Sequence, residues 1–253
     1  MIGVGTTIFL INPQTFGGSS FTNEKSLLFD GVDEYVNCGQ PTVFDGATNW
    51  SISYWVKFQT EGIGGHPIGY RGASDVTNIQ FSYQHTIDAM DFKIGGAYQR
   101  TPTSSVLVGQ WYHMVAVYDG TQGTNADRLK IYFDGSLVSV TTSGTFATAM
   151  GTLSGGIAGR EFRIGTYINL EMNGYVDEVS IFDYSLDATQ VSSLYNSGTP
   201  TDLDNTSGVS APVHWWRMGD GDTFPTINDI GTGTTFNGTM TNMEAGDIVT
   251  DVP

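Results

Sequence analysis

Along the nine residues from Trp50 to Phe58, large apolar side chains recur at every second position. Trp50, Ile52, Tyr54, Val56 and Phe58 fall on one side of an extended chain, and Ser51, Ser53, Trp55 and Lys57 on the other, because successive strand residues point to opposite faces. This reads as a strand with one buried and one wet face. Leu27-Leu28-Phe29 runs into Asp30-Gly31, with Tyr35, Val36 and Cys38 beyond the turn, and reads as a hairpin-like opening. Further strands are expected at Ile79 to Tyr83, Asp91 to Ile94, Trp111 to Tyr118, Leu129 to Phe133, Leu137 to Thr141, Glu161 to Ile164 and Tyr175 to Phe182. Asp119-Gly120 and Asp134-Gly135 supply turns between them. With 33 glycines and only 14% charged residues, the composition suits many short strands joined by tight turns. The expectation is an all-β protein, an antiparallel two-sheet sandwich.

One short helix interrupts this pattern. Asp187 is placed to cap its start, Gln190 stands where a capping box wants Gln or Glu, and Val191 and Leu194 share a face. Gly198 lies just beyond the expected end at Asn196. Such a helix is suited to covering an edge of the sandwich.

Charge excludes several classes of partner. The 26 acids outnumber the 10 bases, for a net charge of −16, which repels the phosphates of nucleic acid and the surface of an anionic membrane. From Ile164 onward there are 13 acids and one base, Arg217, a surface suited to attracting divalent cations. Cys38 is the only cysteine, so no internal disulfide can form and the scaffold depends on its core. Met1 to Phe21 has neither the basic residues nor the cleavage site of a secretory signal and is expected to belong to the mature chain. No apolar run approaches the ~20 residues of a membrane span.

Taken in order, several segments resemble the laminin-G-like, concanavalin-like jelly roll. They are Ser26 to Val36, Trp50 to Phe58, Trp111 to Tyr118, Leu129 to Leu137, Phe162 to Gly165, and Gly174 to Val179 with its following helix. The resemblance implies two stacked antiparallel sheets, with ligands on a concave face or on rim loops. It divides the chain into an arm over 1–25, the jelly roll over 26–200 and a further segment over 201–253. In the family, a strand like Val213 to Met218 with its Asp-Gly-rich loop comes before the first landmark. Here it follows the helix, so it is expected to fold back onto its own sandwich or complete a neighbour's. The uncharged arm from Met1 to Thr22 is expected either to dock on a neighbouring subunit or to form an edge strand.

That fold hosts both binding proteins and glycosidases, so chemistry must come from residues. Retaining hydrolysis needs two carboxyls about 5 Å apart. The run Asp177-Glu178-Val179-Ser180-Ile181-Phe182-Asp183 lacks the Glu-x-Asp-x-x-Glu spacing of the glycosidase branch. Alternation sets Asp177 with Val179, Ile181 and Asp183, and Glu178 on the opposite face. His66, His85, His113 and His214 are scattered, and no nucleophile or zinc motif occurs. The resemblance also implies Ca²⁺, held through hard oxygen ligands, with Asp33, Glu34 and Asp177 the candidates. For ligand binding, Tyr70-Arg71, Tyr83 with His85, and Tyr98 with Arg100 combine aromatic platforms with hydrogen-bonding groups.

The leading expectation is therefore a non-enzymatic structural or adhesive protein of a virus particle. Its partners would be other virion proteins, copies of itself or a cell-surface glycan. The stretch from Trp215 to Met243 is similar in texture to marine phage structural proteins. The alternatives are a bacterial surface or secreted carbohydrate-binding module and, more remotely, a glycoside hydrolase.

Overall fold

A computed structural model describes residues 21–60, 64–72, 78–155 and 159–253, which form two antiparallel β-sheets packed face to face. Most of the arm, residues 1–20, lies outside the described residues, so its expected docking or edge-strand role does too.

The first sheet is built on β3 (Asn49–Phe58). One side of β3 carries β8 (Tyr112–Asp119), β9 (Leu129–Phe133) and β10 (Ser136–Leu137), and the other carries β13 (Asn173–Phe182). The free edge of β13 is shared: its first half pairs with β1 (Ser26–Asp30), and its second half with β14 (His214–Trp216). Strand β17 (Ile248–Val249) continues the sheet from β1.

The second sheet runs β11 (Thr141–Ser143), β7 (Ala97–Arg100), β6 (Ala89–Ile94), β5 (Asn78–Gln84), β4 (Gly65–Arg71), β12 (Phe162–Ile164), β2 (Tyr35–Asn37), β16 (Gly238–Thr241) and β15 (Thr226–Ile227). Thus β1 and β2 do not form a hairpin; they lie in opposite sheets, and Asp30-Gly31 carries the chain between them. The expected strand from Leu137 to Thr141 is likewise divided between β10 and β11, one at an edge of each sheet. The turn at Asp134-Gly135 joins Phe133 to Ser136 with φ of +49° and +75°, the doubly positive pair that a two-residue hairpin requires.

Alternation on β3 sends Trp50, Ile52, Tyr54, Val56 and Phe58 into the core between the sheets. Its other face is not wet, because Ser51, Ser53 and Trp55 are buried as well. Helix α1 (Ala188–Tyr195) covers this side, with the Tyr195 ring 5.9 Å from Trp55 and Val191 and Leu194 in a second apolar cluster with Val115, Phe182 and Trp215. The Asp187 carboxylate accepts the Gln190 N–H and the Gln190 side chain accepts the Asp187 N–H, while Asn196 ends the helix at φ +45°.

Residues after 200 are woven into both sheets. Trp216 enters the core and stacks on Phe162 at 5.5 Å, whereas Trp215 lies on the outer face and stacks on Phe21 at 6.3 Å. Both indoles are buried.

Strand β13 departs from simple alternation. Asp177 pairs with Trp55 but Ser180 pairs with Ser53, so three residues span two, and Glu178 sits in the bulge at φ +47°. The extra residue keeps Val176 and Val179 both in the core. It also moves Asp177 to the side of Ser180 and Phe182, away from Val179 and Ile181, and places the Glu178 carboxylate on that same outer face.

Candidate functional site

The nine-stranded sheet presents an outer face whose side chains follow from register. On β5, Ile79, Phe81 and Tyr83 enter the core, so Gln80, Ser82 and Gln84 face out. On β6 and β7 the outward residues are Asp91, Lys93, Tyr98 and Arg100; on β12 it is Arg163, and on β2 Tyr35 and Asn37. Cross-strand pairing aligns Tyr98, Lys93, Gln80, Gly69, Arg163 and Asn37 in one row across the sheet.

The segment 165–172 crosses this face over β4. Two glycines let it approach: a Cβ on Gly69 would lie 2.5 Å from the Thr166 carbonyl oxygen, and one on Gly65 2.4 Å from the Met172 Cα. Gly165 N–H donates to the Pro67 carbonyl at 3.0 Å, and the His66 ring meets the Leu170 carbonyl at 3.0 Å. That carbonyl can only accept, so His66 Nδ1 carries the proton and Nε2 accepts from the Gln80 amide at 2.6 Å. Burial pushes His66 down to about 4, which keeps the ring neutral near pH 7 and the pairing with Gln80 intact.

The crossing divides the face into two cavities. One, of about 370 Å³, is bordered by His66, Ser82, Gln84, His85, Asn169 and Glu171. The other, of about 220 Å³, is bordered by Arg71, Glu161, Arg163, Thr166, Tyr167 and Asn169. Asn169 touches both.

The six expected ligand-binding residues divide between face and core. Arg71 borders the smaller cavity and exposed His85 the larger. Tyr98 and Arg100 lie out on β7, with the guanidinium 5.2 Å from the Tyr98 ring and bonded twice to Asp91 at 2.6 Å. Tyr70 is a core residue, fully buried against Phe44 and Phe162, its hydroxyl donating to the Pro41 carbonyl. Tyr83 stacks on Phe58 at 4.4 Å, and its hydroxyl donates to Asp88 at 2.6 Å, so its ring offers no platform to solvent. Strand parity explains both corrections, since Tyr70 shares a side with Ile68, and Tyr83 with Phe81.

The three acids expected to hold Ca²⁺ do not converge. β1 runs antiparallel to β13 with Asp30 opposite Asn173 and Leu27 opposite Val176, so Asp177 lies at the far end of β1 from Asp33 and Glu34. Glu34 accepts the Asp30 N–H at 2.7 Å and, mainly through burial, is pushed up to about 7. Asp177 is fully buried and accepts from Asn23 and from the Glu178 N–H, both at 2.8 Å. Among the described residues no group of three His, Cys, Asp or Glu side chains is arranged to hold a metal ion. These residues do not fit one cation site.

Gln80, Ser82 and Thr166 stand in none of the sequence features that point to binding, nor does Arg163, and His66 figures there only among scattered histidines. Alternation around Phe81 marks Gln80 and Ser82 as outward, but the crossing of 165–172 has no comparable local signal.

Two antiparallel sheets, closed by α1 and carrying polar cavities on one outer face, define a jelly-roll sandwich. A laminin-G-type family model, described as the concanavalin A-like lectin/glucanases superfamily, matches residues 30–192, and the chain belongs to this family. No curated protein matches the chain in sequence. Among solved structures it is similar to a Bacteroides ovatus protein assigned as carbohydrate-binding (17% identity, TM-score 0.64), over 88% of this chain and 60% of that one. It is also similar to a heptameric SAP-like pentraxin from Limulus polyphemus (16%, 0.52), over 86% and 95%. A third is the CBM40 of a Ruminococcus gnavus sialidase bound to α2,3-sialyllactose (9%, 0.51), over 68% and 97%. At these identities the likeness is one of fold.

Proposed function

We propose that the chain is a non-catalytic carbohydrate-binding module whose binding surface is the outer face of the nine-stranded sheet. The observation that carries this is the cavity of about 370 Å³ bordered by neutral hydrogen-bonding side chains, His66, Ser82, Gln84 and Asn169, with His66 pre-set by Leu170 and Gln80. A volume of a few hundred Å³ with a few fixed polar groups suits a small polar ligand. The fold neighbour assigned as carbohydrate-binding and the CBM40 support the reading.

Binding is favoured over hydrolysis by the carboxylates. Each cavity is bordered by a single one, Glu171 in the larger and Glu161 in the smaller, whereas glycosidic cleavage uses a pair flanking one bond. The Asp177–Glu178 pair is buried on the other sheet.

A glycan array probed with the full chain tests this. Binding is expected, and His85→Ala with Gln84→Ala should weaken it. Absence of binding to every glycan, or binding unaltered in the double variant, overturns the assignment. The particle setting expected from the sequence texture is part of the proposal: the protein should be found by mass spectrometry in purified virions. Recovery only from a host secretome overturns that setting and leaves glycan binding standing.

A further inference from the structure

We infer that the smaller cavity is a subsite for a carboxylate-bearing sugar, held by Arg163 and Arg71. This rests on the reading of the outer face as glycan-binding and adds the chemical class of one residue of the glycan.

Bases are scarce in this chain, 10 against 26 acids, yet two arginines border this one cavity of about 220 Å³. Arg163 projects from β12 between β4 and β2, with its guanidinium 4.5 Å from the Tyr35 ring. Its Nη2 donates to Glu161 Oε2 at 2.8 Å, and the other oxygen of Glu161 accepts the Gly159 N–H at 2.8 Å. Glu161 is thus occupied in orienting the guanidinium and balances only one of the two positive charges. Arg71, at the exposed end of β4, forms no ion pair with the described residues.

Two residues that border this cavity each carry an unsatisfied buried polar atom. Arg163 Nε and Thr166 Oγ1 have no hydrogen-bond partner among the described residues, and Thr166 is only 1% exposed. Buried donors are rarely left unpaired in folded proteins. A ligand seated against these two residues, with a small shift of either side chain, would supply the oxygens they lack. The planar guanidinium fork matches a carboxylate, and a second arginine bordering the same cavity supplies the remaining charge. Tyr167 offers a ring and Asn169 an amide for the rest of a sugar. The volume lies below the usual range of small-molecule sites, so it suits one ring, with the remainder of the glycan passing Asn169 into the larger cavity.

The test is calorimetric titration of the full chain with the methyl glycosides of glucuronic acid and N-acetylneuraminic acid, with methyl glucoside and inorganic sulfate as controls. At least one carboxylated sugar should bind roughly tenfold more tightly than methyl glucoside, and Arg71→Gln should weaken it by a similar factor. Thr166→Val, which keeps shape and removes the hydroxyl, should weaken it too. Arg163→Lys keeps the charge but loses the fork and is expected to bind weakly while still folding, as read by an unchanged melting temperature. Carboxylated sugars binding no better than methyl glucoside, or binding unaffected by Arg71→Gln and Thr166→Val, overturns the inference. Sulfate binding as tightly as the sugar acids also overturns it, in favour of a simple anion site. Neutral glycans retained on the array with no gain for acidic ones would refute this subsite and leave the glycan-binding face standing; no glycan at all would remove both.

Discussion

Glu178 accepts the indole N–H of Trp215 at 2.5 Å, joining the bulge of β13 to a strand that arrives more than thirty residues later. The same carboxylate accepts Arg217 Nε at 3.0 Å, and Arg217 Nη2 donates to the Thr22 carbonyl at 2.6 Å. Through this one side chain the β13 bulge, the last part of the chain and the first described residues are tied together on the outer face of the eight-stranded sheet.

The link is proton-sensitive. Burial pushes Glu178 up from 4.5 to about 7, against the pull of Arg217, so between these values the folded chain holds a proton that the unfolded chain has released. The stability from this group is fully present below pH 4.5 and is lost as pH rises through 7. Glu178→Gln stays neutral throughout. Its melting temperature relative to the parent should therefore rise between pH 5 and pH 8, and a pH-independent difference in calorimetry would refute the assignment.

His113 acts with the opposite sign. It is buried beneath Tyr195 with Nε2 2.8 Å from Ser53 Oγ, and desolvation pushes it down from 6.5 to about 3. Its neutral form is favoured by folding, so its contribution is fully present above pH 6.5 and is lost as pH falls toward 3. His113→Gln should gain on the parent as pH drops from 7 to 4. Parallel denaturation curves at the two pH values would sink this account.

Removing residues 201–253 should unfold the protein. The truncation exposes the edges of β1, β2 and β13 and deletes two buried tryptophans, each worth about 3–5 kcal/mol by large-to-small precedent. Against a typical total of about 5–15 kcal/mol, that loss is decisive. A truncated chain that stays monodisperse with an unchanged melting temperature would show that these strands contribute nothing.

Two tyrosines close in sequence should behave differently. Tyr83→Ala opens a cavity against Phe58 and should cost about 3–5 kcal/mol in denaturant unfolding. Tyr98→Ala, on the outer face beside Arg100, should shift stability by less than about 0.5 kcal/mol and lower glycan binding instead. Equal destabilisation by both would contradict the assignment of faces.

Local pattern was enough for much of this molecule. The alternation that faces Trp50 to Phe58 into the core, the Asp134-Gly135 turn and the capping box of Asp187 and Gln190 act over a few residues, and each appears in the structure with its partners in place. Parity along β5 was equally legible and would have assigned Tyr83 to the core beside Phe81. Local order did not determine which sheet receives each strand, because adjacent strands such as β1 and β2 are separated by packing, not by sequence distance. Nor did it show the bulge at Glu178, where one extra residue brings Asp177 to the same outer face as Glu178 and is stabilised by contacts to Trp215 and Arg217 far along the chain. The two cavities belong to the same category: they exist because Gly65 and Gly69 admit the segment 165–172 onto the outer face, an approach set by backbone contacts between distant segments. Strands such as β3 and β8, the Asp134-Gly135 turn and helix α1 were legible because their causes lie within a few residues; the sheet order, the buried acids and the outer-face cavities were not, because their causes are pairs of residues far apart in the chain.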